Sequence, residues 1–183
     1  MTRRPATYAD LEALPSDKVG ELIGGVLYAS PRSGLLQGQA IGAVIGELHN
    51  PFFRARGGPG GWFFLYATEL HLNDDVLVPD VAGWRRERMS RLPDAHGVEV
   101  APDWLCEVLS PSTAALDRDQ KMTVYAREGV RHVWLVDPKV HTLEVFRLEN
   151  THYLRLATWT GDVTVRAEPF DVFPLELRVL WED

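Results

Sequence analysis

The chain has 183 residues, 45% hydrophobic and 25% charged, which is the balance of a soluble globular protein; one domain, 1–183, with a real core is the expectation. Nineteen Lys and Arg against 26 Asp and Glu leave a net charge of −7, which excludes a general nucleic-acid coating protein but not an enzyme that meets nucleic acid through a local basic patch. The lone cysteine, Cys106, excludes a disulfide framework and a cysteine-built zinc site. The opening MTRRPATYADLEALPS has no apolar stretch of a secretory signal, and no apolar run approaches the ~20 residues that span a bilayer, so a cytoplasmic protein without membrane attachment is expected.

Tyr8 to Leu14 reads as a short helix, with Thr7 as N-cap and Pro15 as its end. Val19 to Tyr28 reads as a hairpin turning at Gly24-Gly25. Leu36 to Phe53 carries Ile41, Val44, Ile45, Leu48 and Phe52 three and four apart, the spacing of a helix with one apolar face. RARGGPGG at 54–61 breaks it; lacking a following Lys-Ser/Thr, this glycine-rich run is a connector and not a phosphate loop. Trp62 to Leu65 and Glu69 to Leu72 follow as strands, or as one strand with an irregularity. Val76 to Trp84 is the next, and Pro79 within it implies an edge or a bulge. Arg85 to Val98 is a polar connection whose Arg85, Arg86, Arg88 and Arg91 form either a basic patch or a solvated face with Glu87 interleaved.

The centre of the chain is 103–138. Trp104 to Leu109 is a nearly continuous apolar run, as for a strand covered on both faces. Alternation puts Glu107 on one face with Leu105 and Leu109, and Trp104, Cys106 and Val108 on the other. Cys106 is thus expected to be buried and inert. Ser110-Pro111-Ser112-Thr113 ends the strand and caps a helix from Ala114 to Glu128, closed by Gly129. His132 to Val136 is a second strand, so this unit suits a parallel crossover. Thr142 to Leu148, Tyr153 to Trp159 and Val163 to Arg166 read as an antiparallel meander, and the apolar tail from Phe170 to Trp181 as a cover. Antiparallel strands around a strand-helix-strand centre indicate a mixed α/β, or α+β, fold.

A carboxylate inside an apolar strand is costly unless it is paired, hydrogen-bonded or metal-bound, which singles out Glu107. Asp80, next to Pro79, and Glu21, in the first hairpin strand, are the companion acids; Lys121 is the long cation of the central helix near the strand end. Neighbouring carboxylates repel unless a positive charge separates them. A divalent metal removes that conflict, and magnesium takes one or two carboxylates together with waters and phosphate oxygens. A lysine beside such a site can orient water or stabilise charge developing on phosphate. The bland alternative is a buried ion pair between Glu107 and Lys121, with Lys121 otherwise a helix-surface residue paired to Asp117. Glu69 and His71 alternate onto one strand face and are further candidates for the cleft, whereas the six histidines show no metal-ligand spacing.

Val78-Pro79-Asp80-Val81, Pro102 through Thr113, Asp117, Lys121, Tyr125-Ala126, Gly129-Val130 and Trp134 through Pro138 together resemble the Uma-type family of predicted endonucleases, domain of unknown function 820, within the PD-(D/E)XK nuclease superfamily. Glu21 through Leu27 resembles the same family's YELIDGEL segment. The resemblance implies a restriction-endonuclease-like core, a central mixed sheet flanked by helices, and a homo-oligomer, a dimer by default; the C-terminal tail and the Trp62 strand are the candidate contacts. It implies Mg²⁺- or Mn²⁺-dependent hydrolysis of phosphodiesters in nucleic acid, DNA above all. Asp80 falls on the PD aspartate and Glu107 on the acid of (D/E)XK, the two metal ligands; Lys121 is the migrated lysine, and Glu21 assists from the rim.

Three positions depart from the pattern. Leu109 stands where the superfamily has its lysine, Gly38 where family members often have histidine, and Val19-Gly20 replaces the aromatic before Glu21. Gln37 or Gln39 could hydrogen-bond in the histidine's place but not act as acid or base. These departures favour the alternative reading, a catalytically silent oligomeric module that binds nucleic acid or protein on the nuclease fold.

Overall fold

The computed structural model describes residues 4–182. Helix α1 (Tyr8–Glu12) is followed by strands β1 (Lys18–Ile23) and β2 (Val26–Pro31), then the long helix α2 (Leu35–Leu48) with a wide π turn, His49–Phe53. Strands β3 (Trp62–Tyr66), β4 (Glu69–Leu72), β5 (Asp75–Leu77), β6 (Val81–Arg85), β7 (Gly97–Val98) and β8 (Trp104–Val108) follow. The central helix comprises α3 (Ala114–Leu116), a π turn at Asp117–Lys121 and α4 (Met122–Arg127). Strands β9 (His132–Asp137), β10 (Thr142–Glu149), β11 (His152–Thr160), β12 (Thr164–Val165) and β13 (Leu175–Glu176) complete the order, with a final 3₁₀ turn at Leu177–Leu180. No helix among the described residues is long and apolar enough to cross a membrane.

The strands form a six-stranded mixed sheet, β11-β10-β9-β8-β6-β3, a five-stranded sheet, β2-β1-β5-β4-β7, and a small β12-β13 pair. β8 and β9 are parallel neighbours, as the strand-helix-strand centre predicts. The stretch 76–84 is not one strand. Pro79 cannot donate to a ladder, so the chain leaves β5 in the smaller sheet and enters β6 in the larger one, with Pro79-Asp80 as the corner. Likewise β3 and β4 belong to different sheets, and the expected third meander strand, β12, pairs with β13 instead of β11.

The central strands of the large sheet, β6, β8 and β9, are buried on both faces. Trp104, Cys106 and Val108 face α2 and the C-terminal segment, while Leu105 and Leu109 face α4 and the smaller sheet. This is the alternation expected for the Glu107 strand, and Cys106 lies fully buried with burial pushing its thiol pKa up. Much of the tail is core: Phe170 places its ring 4.6 Å from Phe52, 4.9 Å from Trp62 and 5.1 Å from Trp104, and Leu177 and Leu180 are fully buried. β3 is an outer strand, although Trp62 itself points into the core.

Candidate active site

The antiparallel register of β6 on β8 ends at the pair Val81–Cys106; continued one step past it, Asp80 would fall opposite Glu107, and both acids line one cavity. Opposed residues of antiparallel strands project from the same face, which brings the two acids together although they are 27 positions apart in sequence. The Val108 N–H donates to Asp80 Oδ2 at 2.7 Å. No protein donor reaches Asp80 Oδ1 among the described residues, which leaves that oxygen for another ligand.

From the smaller sheet, Glu21 on β1 reaches across the seam, its Oε1 accepting the Val78 N–H at 2.8 Å. From the central helix, Lys121 enters between the acids. Its Nζ lies 2.9 Å from Glu21 Oε1, 2.9 Å from Glu107 Oε1 and 3.2 Å from Asp117 Oδ1. The Tyr125 O–H donates to Glu107 Oε1 at 2.5 Å. Asp117, Lys121 and Tyr125 are four apart, so one helix face presents all three to the Glu107 strand. The group borders a cavity of 290 Å³ walled by Asp80, Glu107 and Lys121 on one side and by Arg32, Gly34 and Gln37 on the other.

Sequence reasoning placed Asp80, Glu107 and Lys121 together, and the structure does so. Glu21 is not a rim residue: it is 5% exposed and ion-paired at the centre. Lys121 is not on the helix surface either, being 3% exposed. Glu69 and His71 do not reach the cleft. They bond each other at 2.8 Å, and Glu69 also accepts the Tyr8 O–H at 2.8 Å, which pushes the Tyr8 pKa up to about 12. Gln37 lines the cavity, its Nε2 3.5 Å from Leu109 O, whereas Gln39 turns towards Glu182. Leu109 fills the second core cluster, so Lys121 enters the site from the helix instead.

Asp117 and Tyr125 are the buried site residues that the sequence reading left unassigned. Their spacing from Lys121 was the available signal, since a charged residue and a phenol at i−4 and i+4 share its helix face. Tyr125→Phe is expected to cost about 1–2 kcal/mol, because Glu107 keeps Lys121 but loses its neutral donor. Urea titration checks this; an unchanged midpoint would show that the Tyr125 hydroxyl contributes nothing.

Three carboxylates therefore contact one ammonium, with Asp80 as a fourth acid on the same cavity. Burial pushes the Asp80 carboxyl up to about 6, with the Val108 N–H and Lys121 pulling the other way. Burial raises Glu107 well above the usual carboxylate range, only partly offset by Lys121. At Lys121 burial opposes the charge, but Glu107, Glu21 and Asp117 outweigh it and hold the ammonium protonated. Burial, then the Glu107 charge, keeps Tyr125 a neutral phenol.

Among the described residues no group of three or more His, Cys, Asp or Glu side chains forms a ready cage for a metal. The donor set nonetheless suits a hard divalent cation that takes two carboxylates and completes its shell with water and phosphate oxygens. Asp80 Oδ1 lacks a donor, the carboxylates outnumber the cation, and the acids open on a cavity.

Three comparisons bear on this arrangement. A family model named Uma2 and described as "Putative restriction endonuclease" matches residues 5–179. Among solved structures, a nuclease described as putative and belonging to domain of unknown function 820, from Anabaena variabilis, superposes with a TM-score of 0.77 at 20% identity, covering 97% of this chain and 98% of that one. The comparison with curated proteins gives no match. A family match over nearly the whole length, with the Asp80, Glu107 and Lys121 constellation assembled in one cavity, places this chain in the Uma2 family of restriction-endonuclease-like proteins.

Proposed function

We propose that the protein is a metal-dependent endonuclease hydrolysing phosphodiester bonds in DNA. The observation that carries this is the gathering of Asp80, Glu107 and Lys121 on the wall of one cavity. Asp80 and Glu107 would hold Mg²⁺ or Mn²⁺, which when bound supplies charge neutralisation at the scissile phosphate and an acidified water. Lys121, held protonated by its acid neighbours, offers a fixed positive charge to the phosphate oxygens. Glu21 and Asp117 position that ammonium, and Tyr125 fixes the Glu107 carboxylate.

The second reading, a silent binding module on the same fold, is favoured by one observation: Lys121 is already saturated by three carboxylates. The two are separated by titrating Mg²⁺ and Mn²⁺ calorimetrically into the wild type and into an Asp80→Asn, Glu107→Gln double variant, alongside a cleavage assay on supercoiled DNA. Metal binding and nicking confined to the wild type are expected. Identical titrations at millimolar metal would sink the metal-site reading and leave the binding module. A homodimer is part of the proposal.

A further inference from the structure

In a chain of net charge −7, arginines have acids available, and among the described residues seven arginines sit in ion pairs. Arg32, Arg54, Arg56, Arg85, Arg86, Arg91, Arg131 and Arg166 do not, and four of these, Arg54, Arg56, Arg85 and Arg86, flank the 54–61 connector, with Arg85 and Arg86 on opposite faces of β6. The Arg54 and Arg56 amides are tied to His49 and Asn50 carbonyls at 3.0 and 2.9 Å, which fixes the connector to the end of the π turn. The Arg86 N–H bonds Gly61 O at 2.9 Å, which joins that connector to the end of β6. The Arg86 guanidinium lies 4.0 Å from the Phe63 ring centre and 4.9 Å from that of Phe53, and Arg85 lies 4.7 Å from that of Trp62. Nearby, Asp103 is taken by the Arg88 guanidinium and the Arg85 amide, and Glu87 makes no ion pair among the described residues. The aromatic rings hold the two β6 guanidiniums in place without neutralising them.

We infer that Arg54, Arg56, Arg85 and Arg86 form a second docking site, for the sugar–phosphate backbone of the DNA substrate, remote from the catalytic cavity. The inference rests on the nucleic-acid part of the proposed function but not on turnover. Its placement follows from α2: the helix starts at the cavity wall, at Gly34 and Gln37, and its π-turn extension ends at Arg54. The helix and its π turn together separate the two ends by roughly 25 Å, the rise of about seven base pairs. On the flank between them Gly38, Gly42 and Gly46 are exposed and present no side chain to a strand lying along the helix. A polyanion suits this patch because unpaired guanidiniums match phosphate oxygens bidentately, whereas a neutral protein surface would leave four charges uncompensated.

The test is a fluorescence-anisotropy titration of a labelled DNA duplex of about two helical turns. It compares Asp80→Asn protein, which cannot consume the probe, with the same protein carrying Arg54→Gln and Arg56→Gln. These two side chains pack on no aromatic ring, so their loss leaves the Phe53–Arg86–Phe63 stack intact. Affinity at low salt is expected to fall about tenfold, and the slope of log K against log salt to decrease by about 2. Unchanged affinity and salt slope overturn the docking site, as does failure of the parent protein to bind the duplex. Cleavage by the wild type alongside unchanged binding in the variant would sink the patch alone. Arginine-dependent binding without cleavage would sink the nuclease reading and keep the patch.

Discussion

Lys121→Met is expected to destabilise the metal-free protein by about 3–5 kcal/mol at neutral pH. Three carboxylates lie within 3.2 Å of the Lys121 ammonium, and methionine would leave them buried and facing one another. The loss should depend on pH in a definite direction. Acids with folded pKa values above their unfolded ones bind protons on folding, so their penalty is present at high pH and disappears as pH falls through the folded value. Glu107 and Asp80 are already raised with the lysine present, and would be raised further without it. Urea denaturation at pH 8 and pH 5 reads this directly. Recovery of most of the stability at pH 5 is expected; an equal deficit at both values would mean that lost packing, not charge, is the cause. Cleavage should be abolished at either pH.

Asp80→Asn should act in opposite directions on activity and on stability. Cleavage is expected to drop by about three orders of magnitude, the several kcal/mol that a positioned metal contributes. The metal-free protein, in contrast, should gain about 2 kcal/mol at pH 7. Keeping a carboxyl of pKa about 6 ionised at neutral pH, when its ordinary value is 3.8, costs up to about 3 kcal/mol. Asparagine removes that charge while its amide oxygen can still accept the Val108 N–H. The gain should shrink as pH falls from 7 to 4, where aspartic acid is neutral too. Added Mg²⁺ should raise the melting temperature of the wild type only. A variant less stable than the wild type at pH 7 would show that the Asp80 charge is already compensated within the protein.

The centre of the fold was legible because it is local. Apolar runs at 104–109 and 132–136 with a capped helix between them state a strand-helix-strand unit without reference to the rest of the chain. The break at Asp80 was not, because Val76 to Trp84 carries β-formers throughout, and which sheet each half joins is set by distant partners: Leu22 for Val76, Cys106 for Val81. Pro79 announced an irregularity but not its size. The same limit hid the burial of Glu21. Its hairpin is evident from Gly24-Gly25, yet its contact with Lys121 is between residues 100 positions apart. Glu69 and His71 passed as cleft residues because alternation gives a face but not what that face meets.

The seam between the sheets also bears on how the molecule would be watched as it melts. β1 registers with the rest of its sheet through the single pair Leu22–Val76, and the hairpin 18–31 is further held by the Val78 amide, the Gly24 N–H on Asp75 Oδ1, the Ala6 N–H on Gly25 O, the Glu21–Lys121 contact and the packing of Leu22 and Ile23. All six tryptophans, Trp62, Trp84, Trp104, Trp134, Trp159 and Trp181, lie outside the hairpin, and Tyr28 is its only aromatic residue. Peeling of the hairpin would strip Glu21 from the site while leaving every indole on its own strand or turn. Intrinsic tryptophan emission therefore reports mainly on the large sheet, and separation of the hairpin alone would escape a melting curve recorded with it.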